Sequence, residues 1–170
     1  MKRIFRCIAA FLFLLYILFL PGRAESANAS VYHNLRNYTV DDGLSSNHVY
    51  GIVQDSIGFI WFGTDNGLCR FDGCEFRSYT HTDGDRSSIS SNNIRRLMLD
   101  SRGQIWLALD NGVDIYTPAA DRFRHFDVRT SDGACVTGQT TEVIEDRKGE
   151  IWIATVNSGL FLSLIHISEP

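Results

Sequence analysis

The stretch Gln54-Asp55-Ser56-Ile57-Gly58-Phe59-Ile60-Trp61-Phe62-Gly63-Thr64 recurs as Leu99-Asp100-Ser101-Arg102-Gly103-Gln104-Ile105-Trp106-Leu107-Ala108-Leu109. It returns as Glu145-Asp146-Arg147-Lys148-Gly149-Glu150-Ile151-Trp152-Ile153-Ala154-Thr155. The tryptophans are 45 and 46 residues apart, and the leading aspartates and the glycines keep the same intervals. Self-similarity at this period marks an architecture built from one repeated supersecondary unit.

Turn chemistry divides each copy into four short strands. The first, about His48 to Gln54, ends at an Asp-x-x-Gly turn, where the aspartate caps local amides and the glycine takes positive φ. The second, Phe59 to Thr64, ends at Asp65-Asn66-Gly67, and copy two repeats Asp110-Asn111-Gly112 there. Asn-Gly predicts a two-residue hairpin turn. The third, Leu68 to Phe71, meets Asp72-Gly73, and the fourth runs Cys74 to Thr80. Copy two replaces that last turn with the longer Pro118-Ala119-Ala120-Asp121. Hairpin following hairpin makes each copy an antiparallel meander.

In the second strand Ile60 and Phe62 point to one face, and Trp61 and Gly63 to the other. Both faces are apolar, and copies two and three repeat the pattern, so the strand is covered on both sides. A single sandwich would leave one face wet. Small sheets stacked around an axis bury both, which predicts an all-β β-propeller of four-stranded antiparallel blades, about three of them present and the ring incomplete. Gly63, Ala108 and Ala154 stay small and allow close approach between blades.

Leu35-Arg36-Asn37-Tyr38 is similar to the fourth strands Phe76-Arg77-Ser78-Tyr79 and Phe123-Arg124-His125-Phe126. The chain is therefore expected to open, over 31–43, with an orphan outer strand that completes the closing blade. The strand beginning near His48 is then the innermost. Blade 1 is expected at 44–80, blade 2 at 89–128 and an incomplete blade 3 at 136–161. The end, residues 162–170, has no turn signal, matches neither earlier copy and resembles translated sequencing-adaptor sequence; it is read as a foreign tail, with a divergent last strand as the alternative.

Residues 1–24 read as a signal peptide. Lys2, Arg3 and Arg6 precede an unbroken apolar run from Ile8 to Leu20, then Pro21, Gly22 and small residues follow. The 16 residues between Arg6 and Arg23 are fewer than the roughly 20 a membrane span needs. Cleavage is placed after Ala24, with Ala29 as the second site, and an uncleaved anchor is the alternative reading. Removing 1–24 takes away four basic and no acidic residues, leaving 12 Lys+Arg against 20 Asp+Glu. Such an acidic domain without a basic stripe does not suit nucleic acid or anionic lipid. Three cysteines then remain (Cys69, Cys74, Cys135). A two-residue Asp72-Gly73 turn sets Phe71 opposite Cys74 and Cys69 opposite Phe76, which puts the two sulfurs on one face but diagonal, so free thiols are expected rather than a disulfide. No pair has zinc-ligand spacing, and no metal site is read.

Asp42-Gly43-Leu44-Ser45-Ser46-Asn47, followed by Gln54-Asp55-Ser56-x-Gly58-Phe59-Ile60-Trp61-x-Gly63-Thr64-x-x-Gly67-Leu68, resembles the two-component regulator propeller repeat, as does Arg70-Phe71-Asp72-Gly73-x-x-Phe76. The resemblance covers about Leu35 to Phe161. It implies the start of the periplasmic sensor region of a hybrid two-component system, on the periplasmic side of a bacterial inner membrane. In that family two propellers precede a β-sandwich, a membrane span, a histidine kinase and a response regulator, and the ligands are oligosaccharides. A histidine kinase, a downstream membrane span and a homodimer are implied for the full-length protein by resemblance alone.

The tryptophans could stack on sugar rings, but their place on a doubly apolar strand favours core packing. Polar groups at the start of the innermost strands, His48, Tyr50, Asn93 and Arg95, are the candidate ligand residues; their alternative is simple solvation. Asp83 and Asp85 lack calcium-loop spacing and read as a solvated connection. Asn28 and Asn37 sit in glycosylation sequons, relevant only in a eukaryotic secretory route. No Ser/His/Asp or Cys/His grouping recurs with spacing logic and no Gly-rich phosphate loop appears, so no catalytic residue and no cofactor is expected. Fold alone leaves three functions open: a glycan sensor, a secreted propeller enzyme such as a lyase, or an adhesion scaffold.

Overall fold

The computed structural model describes residues 35–126 and 138–163. The proposed signal peptide, Cys135, residues 31–34 of the orphan strand and residues 164–170 of the tail lie outside the described residues. The chain divides into two compact units, Met1–Arg36 and Asn37–Pro170, and the fold set out below is that of the second.

Eleven strands form three antiparallel sheets among the described residues. The first holds β1 (Val49–Gln54), β2 (Ile60–Thr64), β3 (Gly67–Phe71) and β4 (Phe76–Tyr79) in that order. The second holds β5 (Ile94–Leu99), β6 (Ile105–Leu109), β7 (Gly112–Thr117) and β8 (Arg122–Phe126), again in chain order. The third holds β9 (Thr140–Glu145), β10 (Ile151–Thr155) and β11 (Leu160–Ser163). Each sheet is the meander that the turn residues predict. Strands β1, β5 and β9 lie side by side across the sheets, so the blades converge on their first strands. The architecture is a β-propeller, and these three blades do not close a ring. Strand β11 runs two residues past Phe161, pairing Leu162 with Trp152 and Ser163 with Ile151.

Strand β6 is buried at every position, which is what an apolar strand between two neighbours requires. Its alternate side chains feed two cores. Ile105, Leu107 and Leu109 join Trp61, Leu68, Ile94 and Tyr116 against the first blade. Trp106 and Ala108 join Val113, Ile115, Val143, Ile151 and Ile153 against the third. Each fully buried aliphatic or aromatic side chain contributes about 1.5–3 kcal/mol, so interblade contact is the main source of stability. At the first junction Trp61, Tyr79, Tyr116 and Phe123 form an aromatic cluster with ring centroids 4.7–5.8 Å apart. The Tyr116 hydroxyl donates to Asp121 at 2.6 Å, and burial pushes its ionisation far upward. Gly63 packs where the blades come closest: a Cβ there would stand 2.7 Å from Ile94 Cγ2 and 3.0 Å from Leu97 Cγ.

The recurring aspartate does more than cap a turn. Asp55 Oδ1 accepts from the backbone N–H groups of Ile57, Gly58 and Phe59 at 2.9–3.0 Å, while Oδ2 accepts the indole N–H of Trp61 at 2.9 Å. Asp100 repeats this with Arg102, Gln104 and Trp106, and Asp146 with Lys148, Glu150 and Trp152. One carboxylate thus ties the turn of each blade's first hairpin to the tryptophan on that hairpin's own second strand. The indole donor needs a partner once buried, and the spacing Asp-x5-Trp supplies it.

Two turns differ from the sequence reading. Thr64 pairs with Gly67, so Asp65-Asn66 are the loop residues; neither has positive φ, which falls on Gly67 at 96°. This is the arrangement of a turn followed by a glycine bulge, not the mirror-image turn expected from Asn-Gly. A Cβ on Gly67 would also strike the Tyr79 carbonyl oxygen. The β3–β4 loop holds four residues rather than two: Phe71 pairs with Phe76 and Cys69 with Ser78. Asp72 Oδ1 accepts from the amides of both Cys74 and Glu75, and this cap draws two more residues into the loop. Cys69 is a buried free thiol and Cys74 an exposed one. Asn37 to Thr39 lie outside the assigned strands, Thr39 with an extended backbone (φ −131°, ψ −179°), and Tyr38 packs its ring 5.2 Å from Phe71 and 5.6 Å from Phe76.

Candidate functional site

The starts of the three inner strands carry the same irregularity. In β1, Val49 pairs with Thr64 and Gly51 with Gly63, which leaves Tyr50 as an extra residue. In β5, Ile94 pairs with Leu109 and Arg96 with Ala108, leaving Arg95. In β9, Thr140 pairs with Thr155 and Glu142 with Ala154, leaving Thr141. A β-bulge twists its strand and re-aims the extra side chain, and bulges concentrate beside functional sites. Tyr50, Arg95 and Thr141 therefore occupy one structural row on successive blades.

Tyr50 and Arg95 meet: the Arg95 guanidinium carbon lies 5.8 Å from the Tyr50 ring centroid, within cation–π range. Arg96, itself exposed, ties the backbone of the row together. Its Nη1 donates to the carbonyl oxygens of Tyr50 at 3.4 Å and Arg95 at 3.1 Å, groups that the bulges take out of the regular ladder. Its Nε faces Glu142 Oε2 at 3.3 Å, joining the second blade to the third. Arg95 Nε and Asn93 Oδ1 are shielded from solvent and meet no hydrogen-bond partner among the described residues.

Of the four residues that the sequence singles out, Tyr50 and Arg95 come together in this row. Asn93 precedes β5, its amide donating to Ser91 Oγ at 3.1 Å. His48 is exposed and turned to the β2–β3 loop, its Nδ1 2.8 Å from Asp65 Oδ2. The Ser46 hydroxyl first, and then that imidazole, hold the Asp65 carboxyl below the usual range. Sequence reasoning missed Thr141, Arg96 and Glu142. The signal was available: Thr141 follows Arg95 by 46 residues as Arg95 follows Tyr50 by 45.

The connection leading into β5 is tied down by side chains. His81 Nδ1 lies 2.7 Å from the Ile89 carbonyl and Nε2 3.2 Å from Asp83 Oδ1. Buried Asp114 accepts from Ser90 N at 2.7 Å and Ser90 Oγ at 3.0 Å, and meets His125 Nδ1 at 2.9 Å. Asp85 caps the same loop through Ser87, which keeps its carboxyl below the usual range. Chemically the row offers an aromatic face, a guanidinium and a hydroxyl, which is equipment for binding. Among the described residues no three His, Cys, Asp or Glu side chains gather to hold a metal ion. No described helix is long and apolar enough to cross a membrane.

Residues 43–66 and 88–111 match the family model of the two component regulator propeller. Over 54 residues, 32% of this chain, it is 44% identical to a histidine kinase of Formosa agariphila, of which it covers 4%. Two solved extracellular domains assigned to hybrid two component systems of B. thetaiotaomicron are also similar. One is 27% identical with a TM-score of 0.68 over 75% of this chain and 18% of its own. The other is 32% identical with a TM-score of 0.59 over 68% of this chain and 16% of its own. The chain thus spans less than a fifth of each of these relatives.

Proposed function

We propose that this chain, which is built on the two-component regulator propeller repeat, is the outward-facing recognition part of a sensor of the hybrid two-component type, and that its ligand is an oligosaccharide. The observation that carries the reading is the bulged inner row, where Tyr50, Arg95 and Thr141 present an aromatic face and polar donors on rigid strands. Aromatic rings and directional polar groups held by a scaffold are what a hydroxyl-rich ligand needs. The similarity to extracellular sensor domains supports the sensor role. The match to a histidine kinase supports a kinase elsewhere in the full-length protein, with signal passing across the membrane through a downstream span. The basic head, apolar run and small-residue exit of residues 1–24 support export to the periplasmic side of the inner membrane.

The test is thermal unfolding of the full chain against a set of neutral and acidic oligosaccharides, with Tyr50→Ala in parallel. A saturable rise in melting temperature for some members, lost in Tyr50→Ala, is the expected result. No rise with any oligosaccharide, or a rise that Tyr50→Ala keeps intact, sinks the reading.

A further inference from the structure

The three blades keep one backbone at the bulge and change the side chain on it. Asp, Gly and Trp repeat at their positions because they build the blade. The bulge holds Tyr in the first, Arg in the second and Thr in the third, although the local geometry is the same in all. A position whose backbone is held while its chemistry varies is free of the packing that dictates its neighbours. We infer that the bulge row is the specificity-determining element of the recognition site, and that Arg95 selects a ligand bearing a carboxylate or sulfate group.

The charge assignment comes from comparing two adjacent arginines. Arg96 is occupied: it pairs with Glu142 and satisfies the Tyr50 and Arg95 carbonyls, so it is a positioning residue. Arg95 meets no carboxylate within ion-pair distance among the described residues, its Nε is shielded without a partner, and its guanidinium lies by the Tyr50 ring. With Nε shielded, the two terminal amino groups of the guanidinium beside the ring are the donors left for a planar or tetrahedral anion, which they bind through paired N–H groups. Thr141 adds a hydroxyl on the third blade, already donating to the Ala154 carbonyl at 3.2 Å and still able to accept.

This inference rests on the sugar-sensing reading, and the experiment separates the two. Titrate the full chain with three probes of similar length: a uronate trisaccharide, its methyl ester, and a sulfated trisaccharide, with a neutral trisaccharide alongside. The expected result is binding of the uronate or the sulfated probe, at least tenfold weaker binding of the uncharged ones, and a loss of roughly tenfold to hundredfold in Arg95→Gln. Which acidic probe binds distinguishes carboxylate from sulfate. Arg95→Gln should melt as the parent chain does, since Arg95 carries no ion pair in the fold. Equal binding of the uronate and its methyl ester, or of neutral and acidic sugars, overturns the anion selection and leaves the sugar reading intact. Binding of no probe at all overturns both.

Discussion

Replacing Asp100 by asparagine removes one charge and turns one acceptor into a donor, at the point where the second blade is tied to its own tryptophan. In the parent chain Asp100 is 7% exposed and accepts from Arg102 N at 3.0 Å, Gln104 N at 2.7 Å and Trp106 Nε1 at 2.9 Å. The asparagine oxygen can still serve the two turn amides, but its NH2 then faces the buried indole N–H. Losing a charge-assisted bond and leaving a donor unsatisfied costs about 2–4 kcal/mol. Asp100→Ala strands all three donors; water can reach the exposed turn at Arg102, so the expected cost is about 3–5 kcal/mol rather than the full sum. The assay is urea unfolding of the full chain followed by far-UV circular dichroism, because a Trp106→Phe partner variant alters fluorescence. In the Trp106→Phe background asparagine no longer opposes an N–H, so its penalty should shrink by about 1–2 kcal/mol in a double-mutant cycle. Asp146→Asn should cost less than Asp100→Asn, since its indole bond is 3.3 Å long and Trp152 is only half-buried. A chain in which Asp100→Asn unfolds within about 0.5 kcal/mol of the parent, or a cycle with no coupling, would refute the claim that the carboxylate anchors the blade.

Gly63→Ala places a methyl 2.7 Å from Ile94 Cγ2 and should cost about 1–3 kcal/mol by overpacking. Ala154→Val, on the matching face of the third blade, should leave the melting temperature nearly unchanged; a neutral Gly63→Ala would mean that the blades are less closely seated. His81 titrates above its ordinary value, chiefly through the Ile89 carbonyl and then Asp83, with Asp114 adding to the effect. Its contribution is therefore full below about pH 6.5 and is lost as pH rises through the higher folded value. Stability should fall between pH 6 and 9 in the parent and flatten in His81→Gln; parallel profiles would exclude the clasp. Asp72, held low by the amides of Glu75 and Cys74, works in the opposite sense. Its stabilisation is present above about pH 3.9 and is lost as pH drops through the lower folded value, which Asp72→Asn should abolish in the acid limb of the same unfolding profile.

The repeat interval and the alternation in Phe59 to Thr64 were enough to derive stacked four-stranded blades, because a strand apolar on both faces has few ways to exclude water. Gly63 was legible for the same reason: a small residue facing a bulky neighbour implies close approach. The turns were harder. Asp72-Gly73 reads as a two-residue hairpin, yet two amide bonds to one carboxylate make a four-residue loop and move Cys69 from Phe76 to Ser78. Nothing local in the sequence weighs a cap against a tighter turn. The Asp-x5-Trp bond was half visible, since the cap follows from local chemistry but the indole partner appears only once the hairpin closes. Tyr50 and Arg95 could be named as candidates from polarity at the start of an inner strand. That they share a bulge, that Arg96 is occupied by Glu142 and that Arg95 is not are facts of strand register and of adjacency between blades 46 residues apart. Local composition determines the blade; only the packing of one blade on the next decides which of two neighbouring arginines pairs with a carboxylate and which, among the described residues, does not.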